Sequence, residues 1–503
     1  MCRYLIGIDR GTTNIKAAVY DLKGNEIKVK SHPCEKVKNP VPGYAEQDME
    51  QMWKDTSDTI KMLWGDGIVP EQIAAVGLSG QGGGMFLIDE NGTPIRKGIV
   101  SLDTRVAEAA RVWKQEGSHQ HFLELWKDGN PTVPEALLYW LKEYEYTQYS
   151  RTRWVLQCKD WIRYKLTGEV YYETTDASNG FLLDENENYR FDFLNQYGLE
   201  EAAKMFPPLL RPWEKAGCIT DQAAEETGLC PGTLVAAGGH DVAMVALGAG
   251  CTKSGELATV LGTFGLNLLV IDKPHIMLEH FAKIVLSGSK DCYLMMNGGN
   301  TGAATEWFIE TFCKAEKNKA NESAENVFDI MEDEVLKAPH EGRSNIICHP
   351  FAEPPFTLEG WEHARFGIFG LTSDTTRPQI IRAFYEGIAI EMAMSLEILN
   401  KAVGGIDVMR LIGGGANSRL WGQMFADVCG IPVKILDIKE AGCRGAAFNA
   451  GIAAGIYKDH KEVGKLDDPV KCIYYPQKEG GKYMREKKER FQDLGRLLIN
   501  TWK

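Results

Sequence analysis

Residues 5–21 have the sequence LIGIDRGTTNIKAAVYD, and residues 257–272 have the sequence LATVLGTFGLNLLVID. In both stretches an apolar strand leads into a Gly-Thr turn, a second apolar strand follows, and an Asp ends the segment. The Gly-Thr pairs, at residues 11–12 and 262–263, are half of the chain apart. A repeat that opens each half of a chain predicts two related domains, and we expect a cleft between them.

The rest of the sequence predicts an α/β fold. Amphipathic helical patterns alternate with short apolar runs that have the length of strands. Such alternation is typical of sheets covered by helices. The clearest patterns in the first half are helices at residues 49–64, 107–114 and 134–144, and a strand at 74–78.

We place the domain boundary near residues 243–256, so that residues 1–245 form an N-terminal domain and residues 246–503 form a C-terminal domain. A chain of 503 residues exceeds the size at which a single hydrophobic core keeps growing, which agrees with at least two domains. The polar segment at 314–345 is expected to be a surface helix or an insertion. The charged run at 482–491 is expected to be a solvent-exposed helix face, with partner binding as the alternative.

Composition and charge exclude several classes of protein. Hydrophobic residues make up 44% and charged residues 25% of the chain, which excludes a disordered or fibrous protein. The 56 Lys and Arg residues against 69 Asp and Glu residues leave a net charge of −13. This acidic balance lacks the positive surface with which proteins bind nucleic acid or anionic lipid. We therefore expect a small-molecule partner, and neither nucleic acid nor a membrane.

The sequence also predicts a cytoplasmic protein. The opening MCRYLIGIDRGTTN has no long apolar region and no small-residue cleavage site, so it does not resemble a signal peptide. Apolar runs such as residues 261–271 are too short to span a bilayer. The twelve cysteines contain no CxxC pair and no Cys/His pair at zinc spacing, which favours free thiols over disulfides or a structural metal.

Two common nucleotide-binding signatures are absent from the sequence. The P-loop pattern GxxxxGK[ST] is approached only by GAGCTKS at residues 248–254, where the Gly before Lys is missing. No GxGxxG follows a predicted strand. A nucleotide would therefore be bound by neither a P-loop nor a Rossmann fingerprint.

The turn DRGTTN at residues 9–14 is a candidate for binding phosphate. Its glycine exposes backbone N–H groups, and its two threonines add hydroxyl donors. Asp9 is placed to hold a hydrated Mg²⁺, and Lys16 adds positive charge. The alternative is a plain hairpin turn with an Asp cap. Because Gly262-Thr263 repeats the pattern in the second half, two such hairpins could clasp one polyphosphate.

The segment LVAAGGHD at residues 234–241 is a candidate for catalysis. An apolar strand ends in two glycines, and His240 and Asp241 follow. Residues just past strand ends commonly face the ligand in α/β sheets, and a carboxylate there can accept the proton of a hydroxyl that attacks phosphorus. The alternative, compatible with the first, is that Asp241 caps a helix at 242–247. His240 is expected to pack beside the site and not to act as the base.

Three glycine-rich segments are candidates for close contact with a ligand. GGGANS at 413–418 suits a flat ring or a phosphate, and GGNTG at 298–302 lies in a similar place before a helix. GQGGG at 80–84 supplies an amide that, with Asp103 and Arg105, suits the hydroxyl groups of a polyol. The alternative for the latter two is a structural ion pair.

In this order along the chain, the motifs resemble those of the FGGY family of carbohydrate kinases. The resemblance implies the family's duplicated actin/hexokinase-like (ribonuclease H-like) fold, with two α/β ATPase domains and an interdomain cleft. It also implies transfer of the γ-phosphoryl group of ATP to a terminal hydroxyl of a sugar or polyol, with Mg²⁺. The matching segments span almost the whole chain: GIDRGTTNIKAAVYD (7–21), PGYAEQDMEQMW (42–53), KDWIRYKLTGE (159–169), TTDASNG (174–180), GGHD (238–241), LGTFG (261–265), RAFYEGIA (382–389) and GGGANSRLWGQMFADVCG (413–430).

The resemblance implies a role for each matching position. Asp241 aligns with the family's catalytic base, which contacts the acceptor hydroxyl. Members of the family are often dimers, so a homodimer is one expectation. The ATP positions are Thr12, Thr13, Asn14, Lys16, Gly262, Thr263, Gly302, Glu306, Gly414, Gly415, Ala416 and Arg419. The sugar positions are Gln81, Gly82, Gly83, Asp103 and Arg105.

The sugar positions depart from the best-known members of the family. D-xylulose kinases carry Met-His and glycerol kinases carry Arg-Glu where this chain has Gly82-Gly83, which contribute backbone groups only and are expected to leave extra room. The surrounding sequence is most similar to the L-xylulose kinase, erythritol kinase and xylulokinase branch, which implies a small ketose acceptor, a pentulose such as L-xylulose. The alternatives are a kinase for D-xylulose or for a polyol such as erythritol, xylitol or glycerol, a non-catalytic sugar sensor, and an actin- or chaperone-like ATPase.

Overall fold

The computed structural model describes residues 3–502 except 128, 181, 263, 273–282, 300, 324, 356, 357, 359 and 402. The chain divides into two compact units. Among the described helices, none is both long and apolar enough to cross a membrane. The first unit comprises Met1–Thr252, Val285–Lys290 and Glu440–Asp467, and the second comprises Lys253–Ile284, Asp291–Lys439 and Asp468–Lys503.

The secondary structure mixes strands and helices along the whole chain. The strands are β1 (Tyr4–Arg10), β2 (Asn14–Asp21), β3 (Glu26–Pro33), β4 (Glu46–Gln47), β5 (Ile73–Gly80), β6 (Phe86–Ile88), β7 (Gly98–Ile99), β8 (Trp154–Leu156), β9 (Tyr172–Glu173), β10 (Leu209–Leu210), β11 (Lys215–Cys218), β12 (Leu234–Ala236), β13 (Gly239–His240), β14 (Leu257–Leu261), β15 (Gly265–Ile271), β16 (Lys283–Leu286), β17 (Tyr293–Gly299), β18 (Ile347–His349), β19 (Gly367–Phe369), β20 (Met409–Ile412), β21 (Val433–Leu436) and β22 (Val470–Tyr474). The α-helices are α1 (Met49–Lys61), α2 (Arg105–Glu116), α3 (Gln120–Trp126), α4 (Pro134–Tyr144), α5 (Tyr146–Arg151), α6 (Cys158–Thr167), α7 (Thr174–Ala177), α8 (Phe191–Gln196), α9 (Asp221–Thr227), α10 (Asp241–Gly248), α11 (Thr301–Phe312), α12 (Lys314–Ser323), α13 (Val327–Lys337), α14 (Arg377–Asn400), α15 (Trp421–Cys429), α16 (Ala441–Ala453), α17 (His460–Val463) and α18 (Lys478–Trp502).

A mixed sheet is the centre of the first unit. Its strand order is β11-β12-β5-β1-β2-β3, and β13 also pairs with β5. Strand β1 is antiparallel to β2 and parallel to β5, and β12 and β13 are parallel to β5. Because side chains alternate along a strand, Ile6 and Ile8 of β1 pack in one core and Leu5 packs in another. The sheet is therefore covered on both faces.

Helix α16, from the second half of the sequence, packs on the sheet of the first unit. Its backbone lies so close to β1 and β5 that a methyl group on Gly7 or Gly77 would overlap the carbonyl groups of Cys443 or Ala446. Glycine permits this approach because any Cβ would meet backbone atoms that cannot move aside. This contact explains why residues 440–467 belong to the first unit.

The second unit repeats the arrangement of the first. Its sheet has the order β16-β17-β15-β14-β20-β21-β22. Strand β14 is antiparallel to β15 and parallel to β20, which is parallel to β21, and β22 is antiparallel to β21. Strands β14, β15 and β17 thus correspond to β1, β2 and β3, and β20, β21 and β22 correspond to β5, β12 and β11. The predicted duplication of an α/β domain is confirmed.

The predicted elements are largely present, with one clear error. Helix α4 has the predicted limits, 134–144, and the charged run at 482–491 lies within helix α18. The error concerns one member of that run, because Lys482, Arg485, Glu486, Glu489 and Arg490 form the expected solvent-exposed face. Lys487 is buried and pairs with Glu386 of α14, which is also buried. A lysine can be buried in this way because a partner carboxylate neutralises its charge.

Candidate active site

Parallel strands of the first unit end at a common edge of its sheet. Asp9 of β1 lies opposite Ser79 of β5 in the register, and β13 pairs with β5 at the same level. The segments that follow these strands therefore meet at this edge: the turn at 11–13, the glycine-rich segment at 81–84, and Asp241. The carboxyl ends of parallel strands are where α/β sheets commonly bind ligands.

Asp9 is a partly buried carboxylate close to Asp241. Its Oδ1 accepts a hydrogen bond of 2.7 Å from Ser79 Oγ. Burial raises the pKa of the Asp9 carboxyl, the hydrogen bond from Ser79 lowers it, and the charge of Asp241 raises it again, with a net upward shift. Two carboxylates that repel each other form a favourable place for a cation.

Asp241 begins helix α10, and His240 occupies the cap position before it. The side chain of Asp241 is 38% exposed, whereas that of His240 is 9% exposed. Asp241 Oδ1 accepts a hydrogen bond of 2.7 Å from the N–H of Val242. Because the helix includes Asp241 as its first residue, the expectation that Asp241 caps a helix starting at 242 is replaced by a cap at His240.

The turn that follows β1 is joined to Gln81. Thr12 Oγ1 donates a hydrogen bond of 2.5 Å to Gln81 Oε1, and Ser101 Oγ donates one of 3.2 Å to the same oxygen. Gln81 Nε2 is buried without a hydrogen-bond partner in the part of the chain that the structure describes. Thr13 and Asn14 are exposed at the tip of the turn. A predicted phosphate residue and a predicted sugar residue are therefore in direct contact.

Lys16 forms an ion pair with Glu440, with Nζ and Oε2 2.7 Å apart. Burial alone would lower the pKa of Lys16, but the hydrogen bond and charge of Glu440 outweigh burial and raise it. Lys16 therefore stays charged at the base of the turn. No sequence motif indicated Glu440, which is brought to β2 by the packing of α16. A contact between Lys16 and phosphate stays a prediction.

Gly82 and Gly83 are closely packed by side chains. A methyl group on Gly82 would overlap the imidazole of His240, and one on Gly83 would lie 2.7 Å from Thr132 Oγ1. Gly83 also has a φ of +76°, in the left-handed region that favours glycine. The expectation that two glycines leave extra room is therefore wrong at position 82, because the His240 ring fills that space.

Asp103 and Arg105 form a fully buried ion pair. Arg105 Nη2 is 2.8 Å from Asp103 Oδ2 and 2.7 Å from Glu46 Oε1, and the guanidinium lies over the ring of Tyr44 at 4.0 Å. Asp103 Oδ2 also accepts a hydrogen bond of 2.7 Å from the N–H of Ala45. This is the structural ion pair that the sequence left as an alternative. Contact of either residue with a sugar stays a prediction.

The second unit contains a cavity of about 500 Å³, which is a typical volume for a small-molecule site. Four of the predicted ATP positions, Gly262, Gly302, Gly414 and Gly415, line it. Five further lining residues stand in the quoted motifs but were not predicted ATP positions: Leu261, Thr301, Asn417, Ser418 and Trp421. Five others were not indicated by any motif: Thr305, Asn326, Phe328, Asp329 and Glu332.

Two close approaches of the backbone shape this cavity. Gly413, after β20, has a φ of +91°, and a methyl group on it would lie 2.7 Å from the carbonyl oxygen of Leu261 at the end of β14. The N–H of Gly302 donates a hydrogen bond of 3.0 Å to the oxygen of Gly262, which joins the second Gly-Thr turn to the start of α11. The glycine loop and the turn are thus held side by side.

Helix α13 forms one wall of the cavity. Its buried Glu332 accepts hydrogen bonds from Ser418 Oγ at 2.6 Å and from the N–H of Arg419 at 2.9 Å. Asn326 caps the helix by accepting a hydrogen bond of 2.9 Å from the N–H of Phe328. Helix α13 is a surface helix, as expected for 314–345, with Asp329 and Lys337 exposed, but its buried Glu332 also contacts the glycine-rich loop.

Three other predicted ATP positions do not line the cavity. Arg419 instead contacts α13, with Nη1 2.8 Å from Asp333 Oδ1 and Nη2 3.0 Å from the oxygen of Asp329. Glu306 is exposed on α11, and Ala416 is buried. Contacts of these residues with ATP stay predictions. A fourth predicted position, Thr263, lies outside the described residues.

The carboxylates of the first unit are more compatible with Mg²⁺, which keeps waters and binds phosphates, than with a metal ion whose ligands all come from the protein. Within the described ranges, no group of three or more His, Cys, Asp or Glu residues is arranged to hold a metal ion. Mg²⁺ usually keeps several waters and takes one or two carboxylates together with substrate phosphates. Asp9 supplies one such carboxylate, and the nearby negative charge of Asp241 adds to the attraction for a cation.

Comparison with known proteins agrees with these features. The N-terminal domain of the FGGY family of carbohydrate kinases matches residues 4–248, and its C-terminal domain matches residues 257–454. A probable L-xylulose kinase from Haemophilus influenzae is 30% identical over 510 residues, which cover 99% of both chains. An L-xylulose/3-keto-L-gulonate kinase from Escherichia coli is 30% identical over 505 residues, which cover 98% of this chain and 97% of the relative.

The fold is also similar to that of a solved carbohydrate kinase. A ligand-bound xylulose kinase from Lactobacillus acidophilus superimposes with a TM-score of 0.84 over 99% of both chains, at 22% identity. At that identity the likeness concerns the fold, and the domain matches concern the family. The chain therefore belongs to the FGGY family of carbohydrate kinases.

Proposed function

We propose that this carbohydrate kinase transfers the γ-phosphoryl group of ATP to a hydroxyl of a small ketose, a pentulose such as L-xylulose. The observation that carries the proposal is the edge of the first sheet, where Asp9, Asp241 and Gln81 lie together after parallel strands. The names of the two relatives, both L-xylulose kinases, support the choice of acceptor.

The cavity of the second unit is proposed to bind the adenosine part of ATP. The glycine loop gives a planar ring close access to the backbone, and Trp421 and Phe328 supply apolar surface. Asp329 and Asn417 are polar groups at the cavity that could accept hydrogen bonds from ribose hydroxyls. The turn at Gly262, next to the start of α11, is proposed to receive phosphate.

Asp241 is proposed to act as the general base. One of its oxygens, Oδ1, already accepts a hydrogen bond from the N–H of Val242. The other oxygen, Oδ2, would accept the proton of the acceptor hydroxyl as that oxygen forms a bond to the γ-phosphorus and the bond from phosphorus to the β-phosphate oxygen breaks. The exposed fraction of the side chain, 38%, is compatible with access by a substrate.

Mg²⁺ is the cofactor that this donor set would hold. Asp9 would contribute its carboxylate, oriented by the hydroxyl of Ser79. When bound, the ion would neutralise charge on the phosphates. The exposed hydroxyl of Thr13 and the backbone of the turn would donate hydrogen bonds to phosphate oxygens.

The test is sugar-dependent release of ADP from MgATP, measured with D-xylulose, L-xylulose, L-ribulose, erythritol, xylitol, glycerol and L-fuculose. We expect one ketose to stimulate turnover, and we expect Asp241→Asn to lower kcat about 10³-fold because the base is lost. Binding of ATP should be unchanged in that variant. Asp66→Asn, which alters an exposed carboxylate paired with Lys28, is the matched control and should keep full activity.

Other outcomes would identify the alternatives. Turnover with erythritol, xylitol or glycerol, and not with a ketose, would replace the pentulose by a polyol. Sugar binding without any turnover would favour a sugar sensor. Turnover of Asp241→Asn close to that of the wild type would remove Asp241 as the base.

A further inference from the structure

The position of His240 beside Gly82 is a feature that the proposed function does not use. The imidazole of His240 occupies the space where a side chain at position 82 would begin, since a Cβ on Gly82 would overlap Nε2 and Cδ2 of the ring. His240 is nearly buried, with 9% of its side chain exposed. Strand β13 holds it there by pairing with β5, with His240 opposite Gly80.

The other ring nitrogen of His240 contacts Asp241. Nδ1 lies 2.8 Å from Asp241 Oδ1 and 3.3 Å from the backbone nitrogen of Val242. The N–H of Val242 is closer to Asp241 Oδ1, at 2.7 Å. Because a carboxylate oxygen only accepts, the shorter contact assigns the proton to Nδ1, which then donates to Oδ1. Oδ1 thus receives two donors, and Oδ2 is left for a hydroxyl.

The backbone of His240 is also held in place. Its N–H donates a hydrogen bond of 2.8 Å to Thr175 Oγ1, and Thr175 Oγ1 in turn donates to buried Glu173 at 2.6 Å. Asp176 interacts electrostatically with the imidazole of His240. It also forms an ion pair with buried Lys159. The backbone of His240 is therefore fixed, and its ring contacts Asp241 on one side and Gly82 on the other.

From these contacts we infer that His240 is a positioning residue that orients the carboxylate of Asp241, and that its ring is the reason why residue 82 must be glycine. The inference rests on the proposed function, because it takes Asp241 as the base. Residues 82 and 240 compete for one space, so a side chain at 82 and an imidazole at 240 exclude each other. The surface beside the acceptor hydroxyl is therefore formed by His240 and not by a side chain at 82.

The first test measures packing and needs no activity. We expect Gly82→Ala to lower the melting temperature by several degrees, because its methyl group overlaps the ring. In the His240→Ala background the same change should have little effect, because Ala lacks all the ring atoms that the methyl group overlaps. Equal losses in both backgrounds would show that the ring does not occupy this space and would overturn the inference.

The second test separates positioning from packing. The amide nitrogen of Asn can take the place of Nδ1, whereas Ala has no donor. We therefore expect His240→Ala to lower kcat about 10- to 100-fold with the KM for ATP unchanged, and His240→Asn to restore most of the loss. His121→Ala, which removes a histidine outside this group that contacts the oxygen of Gln196, is the control and should keep full activity.

The results distinguish this inference from the proposed function. If no sugar stimulates the wild type, the proposed function fails, and the melting temperatures still decide whether the ring and residue 82 exclude each other. If the wild type is active and His240→Ala has full kcat, the positioning role is overturned while Asp241 remains the base. Equal kcat losses in His240→Ala and His240→Asn would overturn the role of the Nδ1 hydrogen bond.

Discussion

The two units share one sheet topology but carry different residues at the same edge of the sheet. In the first unit Asp9 of β1 lies opposite Ser79 of β5, and the two are hydrogen-bonded. In the second unit the corresponding strands, β14 and β20, bring Val260 opposite Ile412. One copy of the edge therefore carries a carboxylate suited to a cation and a proton, and the other carries apolar residues beneath a glycine loop.

This difference shows how a duplicated domain can divide the work of phosphoryl transfer. Two neighbouring carboxylates attract a cation, whereas packing a planar, uncharged ring against them would cost the free energy of removing their hydration. The apolar edge allows the loop at 413–415 to approach β14 closely and to form a cavity of about 500 Å³. Of the three predictions that follow, ordered from the largest expected effect, the first two test whether the two edges are separate in function, and the third tests a buried carboxyl of the second unit.

Asp9→Asn should remove the metal-binding character of the first edge. We expect kcat to fall about 10²-fold and the requirement for Mg²⁺ to shift to higher concentration, because transition-state charge is less well stabilised. Burial raises the pKa of Asp9 above its ordinary value of 3.8. The folded protein therefore loses stability as pH rises through the raised pKa and Asp9 becomes charged. The variant should therefore be at least as stable as the wild type at pH 7, as measured by thermal unfolding. A loss of both activity and stability would instead indicate a structural role.

Arg419→Ala should weaken only the second edge. Its two hydrogen bonds to α13 hold one wall of the cavity in place. If their removal weakens the binding free energy of ATP by about 1 kcal/mol, the KM for ATP rises about 5-fold. The value of kcat should change little. Arg211→Ala is the matched control, because its side chain is 45% exposed against 44% for Arg419 and it pairs with Glu187 of the first unit. An equal rise of KM in both variants would mean that α13 is not held by Arg419.

Glu391→Gln should affect stability and not catalysis. Glu391 is a fully buried carboxyl of the second unit, and burial raises its pKa to about 8. The folded state keeps this proton while the unfolded chain loses it near 4.5, so the contribution of Glu391 to stability decreases as pH rises from 4.5 to about 8. The Gln variant should lack this decrease in denaturant unfolding between pH 5 and 9. Identical pH profiles for the two proteins would contradict the assignment.

The fold was predictable from sequence because it depends on local patterns. Alternating apolar residues around a Gly-Thr turn specify an antiparallel pair wherever they occur, and their repetition predicted β1–β2 and β14–β15 correctly. The limits of helix α4 were predicted to the residue because its amphipathic pattern is also local. The buried half of α18 was missed because a charged residue such as Lys487 gives no sign of a distant carboxylate partner.

The candidate site was predictable only in part. Glycines and Asp241 stand in short motifs, and four of the predicted glycines line the cavity. Glu332 of α13 stands in a polar segment without a motif, and its contact with Ser418 depends on how the helices pack. The exclusion between Gly82 and His240 was likewise hidden, because the two residues are far apart in the chain.

By itself the sequence determined a duplicated α/β fold, since spacing and residue type specify turns, strands and their repetition, and its motifs resembled those of carbohydrate kinases. The tertiary structure alone decided which groups meet. It paired Lys16 with Glu440 through the packing of α16, joined Arg105 to Glu46, and set His240 over Gly82. These contacts join residues that are distant in the chain, and they depend on the three-dimensional packing of strands and helices, which no local pattern encodes.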